Sequence, residues 1–303
     1  MTTLTTHRLR PAPPFDFAQT LGFLRGFTPT SGEQALGEQT LSKAVRLQGR
    51  TVAFHVRSVG TVDAPDLACE LSADQPLTSH QERLALERVR FFLSLDEDLR
   101  SFYRLARQDE AFQPLLRRLY GYHQVKFLTP FENACWAVLT QRTPAPVARA
   151  AKRRLVEAYG GSVTTAHGRL WAFPEPADLA DVGAPDLGAL VGNARKGEAL
   201  AAVTNAFLQV DKGWLRSAPS AEVHAWLLGI RGLGPWSAAF VLLRGLGRMD
   251  SVLLDDPQTV LARELLAAAT RVYGPVSVQV LQARAEAYGV WQGYWAHYLR
   301  AAG

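Results

Sequence analysis

The sequence predicts a small α+β domain followed by a mainly α-helical region. In the first third of the chain, apolar residues alternate with polar or small ones, as in half-buried antiparallel strands. The three predicted strands span 40–47, 51–57 and 66–72. Beyond residue 96 the apolar residues recur at helical spacing, between proline and glycine stops. We therefore expect an α+β domain over 1–95 and a helical region over 96–303.

Two helices are expected to accompany the sheet of the first domain. Residues 1–14 are polar and contain proline, so they are predicted to form an extended lead-in. A short helix follows over 17–25, with its apolar residues on one side. A second helix begins near Ser79, which stands in capping-box register with Glu82.

Two well-marked helices open the second region. Thr129 and Glu132 predict a capping box before a buried apolar helix, and the next helix runs from a proline-rich break to Tyr159. The polar face of this next helix carries Arg149, Lys152, Arg153 and Arg154. Such a face is either simply solvated or turned toward a polyanion, and the sequence leaves both interpretations open.

The remaining helical region divides at its prolines. Helical pieces are expected between residues 171 and 226, with a loop entering a helix at 192–196. After residue 256 the pattern predicts a helix over 260–267 and a last, aromatic-rich helix over 288–299.

A glycine turn between two helices is the feature on which the functional prediction depends. Gly232, Leu233 and Gly234 separate an apolar helix end from a second helix that opens at Pro235. The amides of these three residues and of Trp236 are expected to face outward, because the first N–H groups of a helix have no partner within it. This hairpin, over 221–246, can hold a DNA phosphate without reading sequence. It can equally be a structural αα-hairpin, but a carboxylate follows twenty residues after Trp236, at Asp256.

Composition excludes several classes of protein. The 303 residues carry a net charge of +5, a weak indication of a polyanionic partner. Cys69 and Cys135 are the only cysteines, too few for a four-cysteine iron–sulfur or zinc site, and the histidines lack metal-ligand spacing. No apolar run approaches the roughly 18 residues of a membrane helix, and no signal core stands at the N-terminus. We expect a cytoplasmic protein with no membrane partner and no metal held by side chains.

Three segments resemble the helix-hairpin-helix (HhH-GPD) DNA glycosylases, in particular the bacterial 3-methyladenine DNA glycosylase II (AlkA) type. The segment Leu227–Asp256 and the segment TPFENACWAVLTQRTPAPVARAAKRRLVEAYG, Thr129–Gly160, carry the more specific likeness. The run PPFDFAQTLGFL, Pro13–Leu24, resembles the opening of the same type. The resemblance implies a helical region of two subdomains with a cleft between them, and a damaged base flipped out of the duplex into that cleft.

The resemblance also implies a role for Asp256. Glycosylases of this family cut the N-glycosidic bond through a transition state with positive charge on the sugar, and an ionised aspartate stabilises that charge. The family's aspartate falls on Asp256, with Asp255 as the neighbouring alternative. Asp256 before Pro257 is equally a helix N-cap, and the two roles are compatible because a helix N-terminus favours an ionised carboxylate. Trp236 replaces the Schiff-base lysine of bifunctional members, so no lyase activity is expected.

The remaining site residues implied by the resemblance form a base pocket and a DNA contact. Trp236, Phe240 and Phe23 match aromatic pocket positions, where stacking and cation–π contacts favour an alkylated, positively charged purine. Core packing is the alternative role of Phe23 and Phe240. Arg142 stands where related proteins place an apolar wedge, and Pro257 where an aromatic residue is expected, so the width of the pocket should differ.

The expected function is therefore the excision of 3-methyladenine-type alkylated bases from damaged DNA, in base excision repair. We expect a bacterial monomer that needs no cofactor, with the backbone carbonyls of the hairpin as the place for a monovalent cation. One alternative is an oxidised-base glycosylase of the same superfamily. The other is a non-catalytic hairpin protein that only binds DNA, for which Asp256 is merely a cap.

Overall fold

The chain folds into a sheet at its N-terminal end and two clusters of helices. The structure is a computed structural model and describes residues 3–250, residue 252 and residues 260–302. The strands are β1 Thr3–Leu9, β2 Gln34–Leu36, β3 Thr40–Leu47, β4 Arg50–Ser58, β5 Leu67–Ala73, β6 Gly161–Thr165 and β7 Gly168–Ala172. The helices are α1 Phe17–Gly26, α2 Ser79–Phe92, α3 Arg100–Ala106, α4 Gln113–Arg118, α5 Pro130–Thr140, α6 Ala145–Tyr159, α7 Ala184–Val191, α8 Ala194–Gln209, α9 Lys212–Ser217, α10 Ser220–Leu228, α11 Pro235–Phe240, α12 Val260–Tyr273, α13 Val278–Ala287 and α14 Gln292–Arg300.

The five-stranded antiparallel sheet has the order β1-β5-β4-β3-β2. Its three central strands match the predicted ones, but the expectation of an extended lead-in over residues 1–14 is wrong for β1. Residues 3–9 pair with β5 over seven positions, from Thr3 opposite Ala73 to Leu9 opposite Leu67. The segment TLTTHRL has polar residues on both faces, so its sequence shows little alternation, and the edge strand forms through its ladder to β5.

A second, two-stranded sheet lies inside the helical region, where only helices were predicted. β6 and β7 form a hairpin that packs on the back of the first sheet. Val163 and Leu170 from the hairpin contact Ala44 and Ala53 from the sheet. The small alanine side chains allow this close approach, so the hairpin joins the sheet to the helices.

Two predicted helix caps differ in detail from the structure. Helix α2 is capped by Thr78, whose hydroxyl oxygen accepts a hydrogen bond from the Gln81 N–H. In return, the side-chain oxygen of Gln81 accepts a hydrogen bond from the Thr78 N–H. The box predicted one residue later, at Ser79, is therefore wrong. At α5, Thr129 accepts the Glu132 N–H as predicted, but the Glu132 carboxylate binds Lys152 instead of completing the box.

The helices after α2 form two apolar clusters, as predicted for two subdomains, while α1 and α2 pack with the five-stranded sheet in a third cluster. One contains residues from α5–α11, and the other combines α3 and α4 with α12–α14. Helix α13 was not predicted, and the last helix begins at Gln292 after a 3₁₀ turn, later than expected. Phe23 of α1 packs where the sheet meets the second cluster, and Phe240 packs against the first. The two predicted pocket phenylalanines thus lie at the edges of these clusters rather than within them.

Within the described residues, we find no helix that combines the length and apolarity required to cross a bilayer.

Candidate nucleic-acid interface and base pocket

The hairpin forms as predicted, but its two glycines have different backbone conformations. α10 ends at Leu228, and α11 begins at Pro235, which occupies the first turn. Gly232 has φ +94°, a value that L side chains rarely adopt. Gly234 has φ −95° and ψ −178°, an extended conformation open to any residue. The turn therefore requires glycine for its backbone only at Gly232.

The space around the two glycines differs in the same way. A Cβ built on Gly232 would lie 2.4 Å from the Cβ of Ala199 on α8, so the turn is pressed against that helix. A Cβ built on Gly234 would have no heavy atom within 4 Å. Gly232 thus serves packing within the protein, whereas Gly234 leaves free space at the surface beside the start of α11.

Leu233 anchors the hairpin. Its N–H donates to the carbonyl of Ile230 at 3.0 Å, and its side chain is buried in the first helical cluster. Its amide is therefore already used, contrary to the prediction that it faces outward. Within the described residues, the amides of Gly232, Gly234 and Trp236 donate no backbone hydrogen bond.

The turn after α5 is tied to the hairpin by a glutamine. Gln141 Nε2 donates to the carbonyl oxygen of Gly232 at 2.6 Å and to the hydroxyl of Ser237 at 3.3 Å. Arg142 follows with φ +49° and an exposed side chain. Lys196 of α8 donates to the carbonyl of Leu139 at 2.5 Å and fixes the same turn from the other side. Arg142 and the hairpin therefore belong to one surface.

The three predicted pocket aromatics lie along one continuous row of rings. Trp236 and Phe240, four residues apart on the second hairpin helix, stack with ring centroids 5.0 Å apart and planes 16° apart. Phe127 meets Phe240 edge-on at 5.9 Å and Phe27 at 5.6 Å. Phe27 in turn contacts Phe23 at 4.9 Å. The sequence pointed to both ends of this row but not to Phe27 and Phe127, which join them.

The far end of the aromatic row already holds a cation. The guanidinium carbon of Arg244 lies 4.9 Å from the ring centre of Phe23, and Nη1 donates to the carbonyl of Val125 at 2.8 Å. Burial lowers the pKa of Arg244 to about 10, so the group remains charged at neutral pH. Among the described residues no carboxylate pairs with it. A cationic base would therefore meet less repulsion at Trp236 than at Phe23.

The basic face of α6 is not a continuous surface stripe. Lys152 is buried, and its ammonium lies 2.7 Å from Glu132 of α5 and 2.8 Å from Glu33 beside β2. Arg154 donates to the carbonyl of Leu190 at 2.6 Å. A DNA-facing stripe through Lys152 is therefore wrong, because this residue joins the helices to the N-terminal sheet.

The predicted catalytic carboxylate, Asp256, lies outside the described residues, as do Asp255 and Pro257. The described chain before them continues from α11 into a π-helical turn, Val241–Gly245. Asp250, the last residue of the long described range, accepts the Ser220 hydroxyl at 2.9 Å. No cluster of potential metal ligands occurs within residues 3–250, 252 and 260–302.

Solved structures with this arrangement define the class of fold. The chain matches the 3-methyladenine DNA-glycosylase from Archaeoglobus fulgidus with a TM-score of 0.76 and 19% identity, covering 97% of both chains. It also matches the 8-oxoguanine glycosylase/lyase of Clostridium acetobutylicum in complex with double-stranded DNA. The TM-score there is 0.67 with 14% identity, over 99% of this chain and 96% of that one. The fold is therefore that of the helix-hairpin-helix DNA glycosylases.

Sequence relatives narrow the likeness within that class. The DNA-3-methyladenine glycosylase of Bacillus subtilis is 26% identical over 231 residues, 76% of this chain and 75% of the relative. The probable bifunctional transcriptional activator/DNA repair enzyme AlkA of Mycobacterium tuberculosis is 27% identical over 298 residues, 96% of this chain and 56% of the relative. The chain thus spans about half the length of the latter. No family model matches. These relatives confirm the predicted resemblance to AlkA-type glycosylases.

Proposed function

We propose that this protein is a monofunctional DNA glycosylase that excises alkylated bases in base excision repair. The observation that carries the proposal is the aromatic row that starts on the hairpin itself. The ring of Trp236 stacks on Phe240 in this row, while its backbone amide lies at the start of α11. Trp236 would therefore serve both phosphate binding and base stacking. The named activities of the relatives support the same reaction.

The proposed reaction breaks the bond between the sugar C1′ and the base nitrogen. The base leaves with the bonding electrons, and a water adds to C1′, losing its proton as the product forms. Asp256 would stabilise the positive charge that develops on the sugar. Trp236 has no amine with which to form a Schiff base, so the product is an intact strand with an abasic site.

The DNA contacts in this proposal come from the hairpin and the turn tied to it. The amides of Gly232, Gly234 and Trp236 would hold a phosphate, while Leu233 keeps the turn in shape. Arg142, exposed beside them, would contact the strand near the displaced nucleotide. We propose that the protein acts as a monomer. We also propose that it needs no cofactor, since water and a carboxylate suffice for this hydrolysis. The hairpin carbonyls remain the place proposed for a monovalent cation.

Two rival functions predict other products. An oxidised-base glycosylase, the activity named for the Clostridium structure, would release 8-oxoguanine. A non-catalytic hairpin protein would release nothing. The likeness to the Bacillus relative over three-quarters of both chains favours alkylated bases over both rivals.

The proposal is tested by incubating the protein with methylated duplex DNA and identifying the released bases by mass. We expect 3-methyladenine in the supernatant and an unbroken strand until the abasic site is cleaved by alkali. Release of 8-oxoguanine from oxidised duplex alone, or strand cleavage without alkali, would contradict the proposal.

The hairpin glycines should respond differently to valine. Gly234→Val keeps a permitted backbone and places its branches in the space proposed for the phosphate. We expect it to weaken binding to all duplexes about tenfold to a hundredfold, as expected for the loss of 1.5–3 kcal/mol from a hydrogen bond to a charged group, while the melting temperature is unchanged. Gly232→Val should instead lower the melting temperature, because of its φ and its contact with Ala199. Fluorescence anisotropy with two unrelated duplexes measures the first effect, and a loss confined to one duplex would contradict it.

A further inference from the structure

A second cavity lies away from the aromatic row. It has a volume of about 450 Å³ and is enclosed by β3, α2, the start of α5, the segment 173–176 and α9. Phe91, Phe131, Phe173, Phe207 and Leu215 supply apolar walls. Neither Trp236 nor Phe240 nor Phe23 borders it, so it is separate from the proposed base pocket. A volume in this range is typical of small-molecule sites.

The carboxylates around this cavity are already engaged by other groups. Glu132 binds Lys152 on the far side of α5, at 2.7 Å. Glu175 accepts the backbone N–H of Gly49 at 2.9 Å, and Glu87 lies 4.0 Å from Arg83 on its own helix. None of these acids is held by a cation that faces the cavity.

Two of the cations that border the cavity are paired as well. Lys43 lies 3.3 Å from Glu33, and Arg46 donates to both carboxylate oxygens of Asp178 at 2.6 and 2.8 Å. Such a two-point contact satisfies both the charge and the directional donors of a guanidinium.

Three other cations form no hydrogen bond or ion pair with a carboxylate within the described parts of the chain. Arg88 of α2 is largely buried at the wall, while Lys212 and Arg216 of α9 are exposed at the rim. Burial, and after it the charge of Arg216, lowers the pKa of Arg88, although the carboxylates of Glu175 and Glu87 act in the opposite direction. A partly buried guanidinium that no carboxylate contacts directly is costly, and a neighbouring like charge adds to that cost. An anion in the cavity would relieve both.

We propose that this cavity binds a phosphate monoester with an apolar body. The phosphate would lie between Arg88 and Arg216, whose planar donors suit its oxygens, and Lys212 would balance its second charge. A phosphate monoester carries close to two negative charges at neutral pH, which fits three unpaired cations better than a carboxylate does. The apolar body would lie against Phe131, Phe173 and Phe207.

The proposal is tested by isothermal titration of the full chain with 1-naphthyl phosphate, which has both a phosphate group and an apolar body. We expect one binding site, weaker binding of 1-naphthoate and of inorganic phosphate, and no measurable binding of 1-naphthol. Arg88→Met should weaken binding of 1-naphthyl phosphate about tenfold to a hundredfold, as expected for the loss of 1.5–3 kcal/mol from a charged hydrogen bond. Arg216→Met, on an exposed side chain, should weaken it in the same direction without risk to the fold.

Arg90→Met is the matched control, since Arg90 lies on the same helix and neither it nor its partner Asp96 borders the cavity. It should bind 1-naphthyl phosphate as the unaltered chain does. Equal affinity in the Arg88 and Arg216 variants would overturn the proposal, as would equal affinity for 1-naphthol. Displacement of the probe by duplex DNA, together with weaker DNA binding by Arg216→Met, would assign the cavity to the DNA interface and overturn it as well.

Discussion

Asp256→Asn should abolish measurable base release while DNA binding persists. The amide keeps the shape of the side chain but removes the negative charge proposed to stabilise the sugar cation. Loss of a single preorganised stabilising group costs about 10²–10³ in rate, and loss of a full charge at the reacting carbon should cost at least as much. Single-turnover release of 3-methyladenine from a methylated duplex measures the effect. The dissociation constant for the same duplex should stay within about threefold, because phosphate contacts made elsewhere dominate affinity.

Two neighbouring acids provide controls for this result. Asp250→Asn removes a carboxylate close in sequence whose described partner is the Ser220 hydroxyl, and it should leave base release intact. Asp255→Asn tests which of the two adjacent aspartates has the catalytic role, since Asp255 is the alternative to Asp256. Loss of activity in the Asp255 variant and not in the Asp256 variant would move the proposed role by one residue. Full activity in both would remove the carboxylate from the mechanism.

Lys152→Met should produce the largest loss of stability. The ammonium pairs with the buried Glu132 and the partly buried Glu33, and methionine would leave Glu132 as a buried charge without a partner. Removing one member of a buried ion pair destabilises a protein by about 3–5 kcal/mol. Urea unfolding, followed by far-UV circular dichroism, measures the change in the free energy of unfolding.

The stability that the ion pairs of Lys152 with Glu132 and Glu33 contribute depends on pH in a direction that follows from the pKa shifts. Burial opposes the charge on Lys152, but Glu132 and Glu33 outweigh it and raise the pKa of Lys152. Burial likewise opposes the charge on Glu33, but Lys152 and Lys43 outweigh it and lower the pKa of Glu33. The stabilisation from Glu33 is lost as the pH falls through its lowered pKa, and that from Lys152 as the pH rises through its raised one. The cluster therefore contributes fully around neutral pH.

Two variants test whether charge pairing is the cause. Arg153→Met alters the next residue on α6, whose side chain is exposed, and should change the free energy of unfolding by no more than about 0.5 kcal/mol. Adding Glu132→Gln to Lys152→Met should recover part of the loss, because the unpaired charge is removed. No recovery in the double variant would indicate that packing of the lysine stem, rather than its charge, accounts for the effect.

The sequence predicted the parts of the fold that depend on local signals. Helix α1, the end of α6 at Gly160 and the start of α11 at Pro235 follow from periodicity and from the stop and start residues themselves. The hairpin follows from Gly232, whose φ only glycine adopts readily. The resemblance added the ends of the aromatic row, Trp236 and Phe23.

The features that escaped prediction depend on contacts between distant segments. β1 is a strand because β5 pairs with it, some sixty residues later, and not because of its own composition. The burial of Lys152 depends on Glu33, more than a hundred residues away, so its sequence neighbours indicate only a basic helix face. Phe127 and Phe27 lack a motif of their own and join the aromatic row only through the meeting of three clusters.

The hydrogen bond from Gln141 to Gly232 has a consequence for how a lesion would be engaged. It ties the turn after α5 to the hairpin, so we expect the two loops to approach the duplex together. Under the proposed function, binding of a DNA phosphate by the hairpin and displacement of the damaged nucleotide from the duplex would then occur in one step.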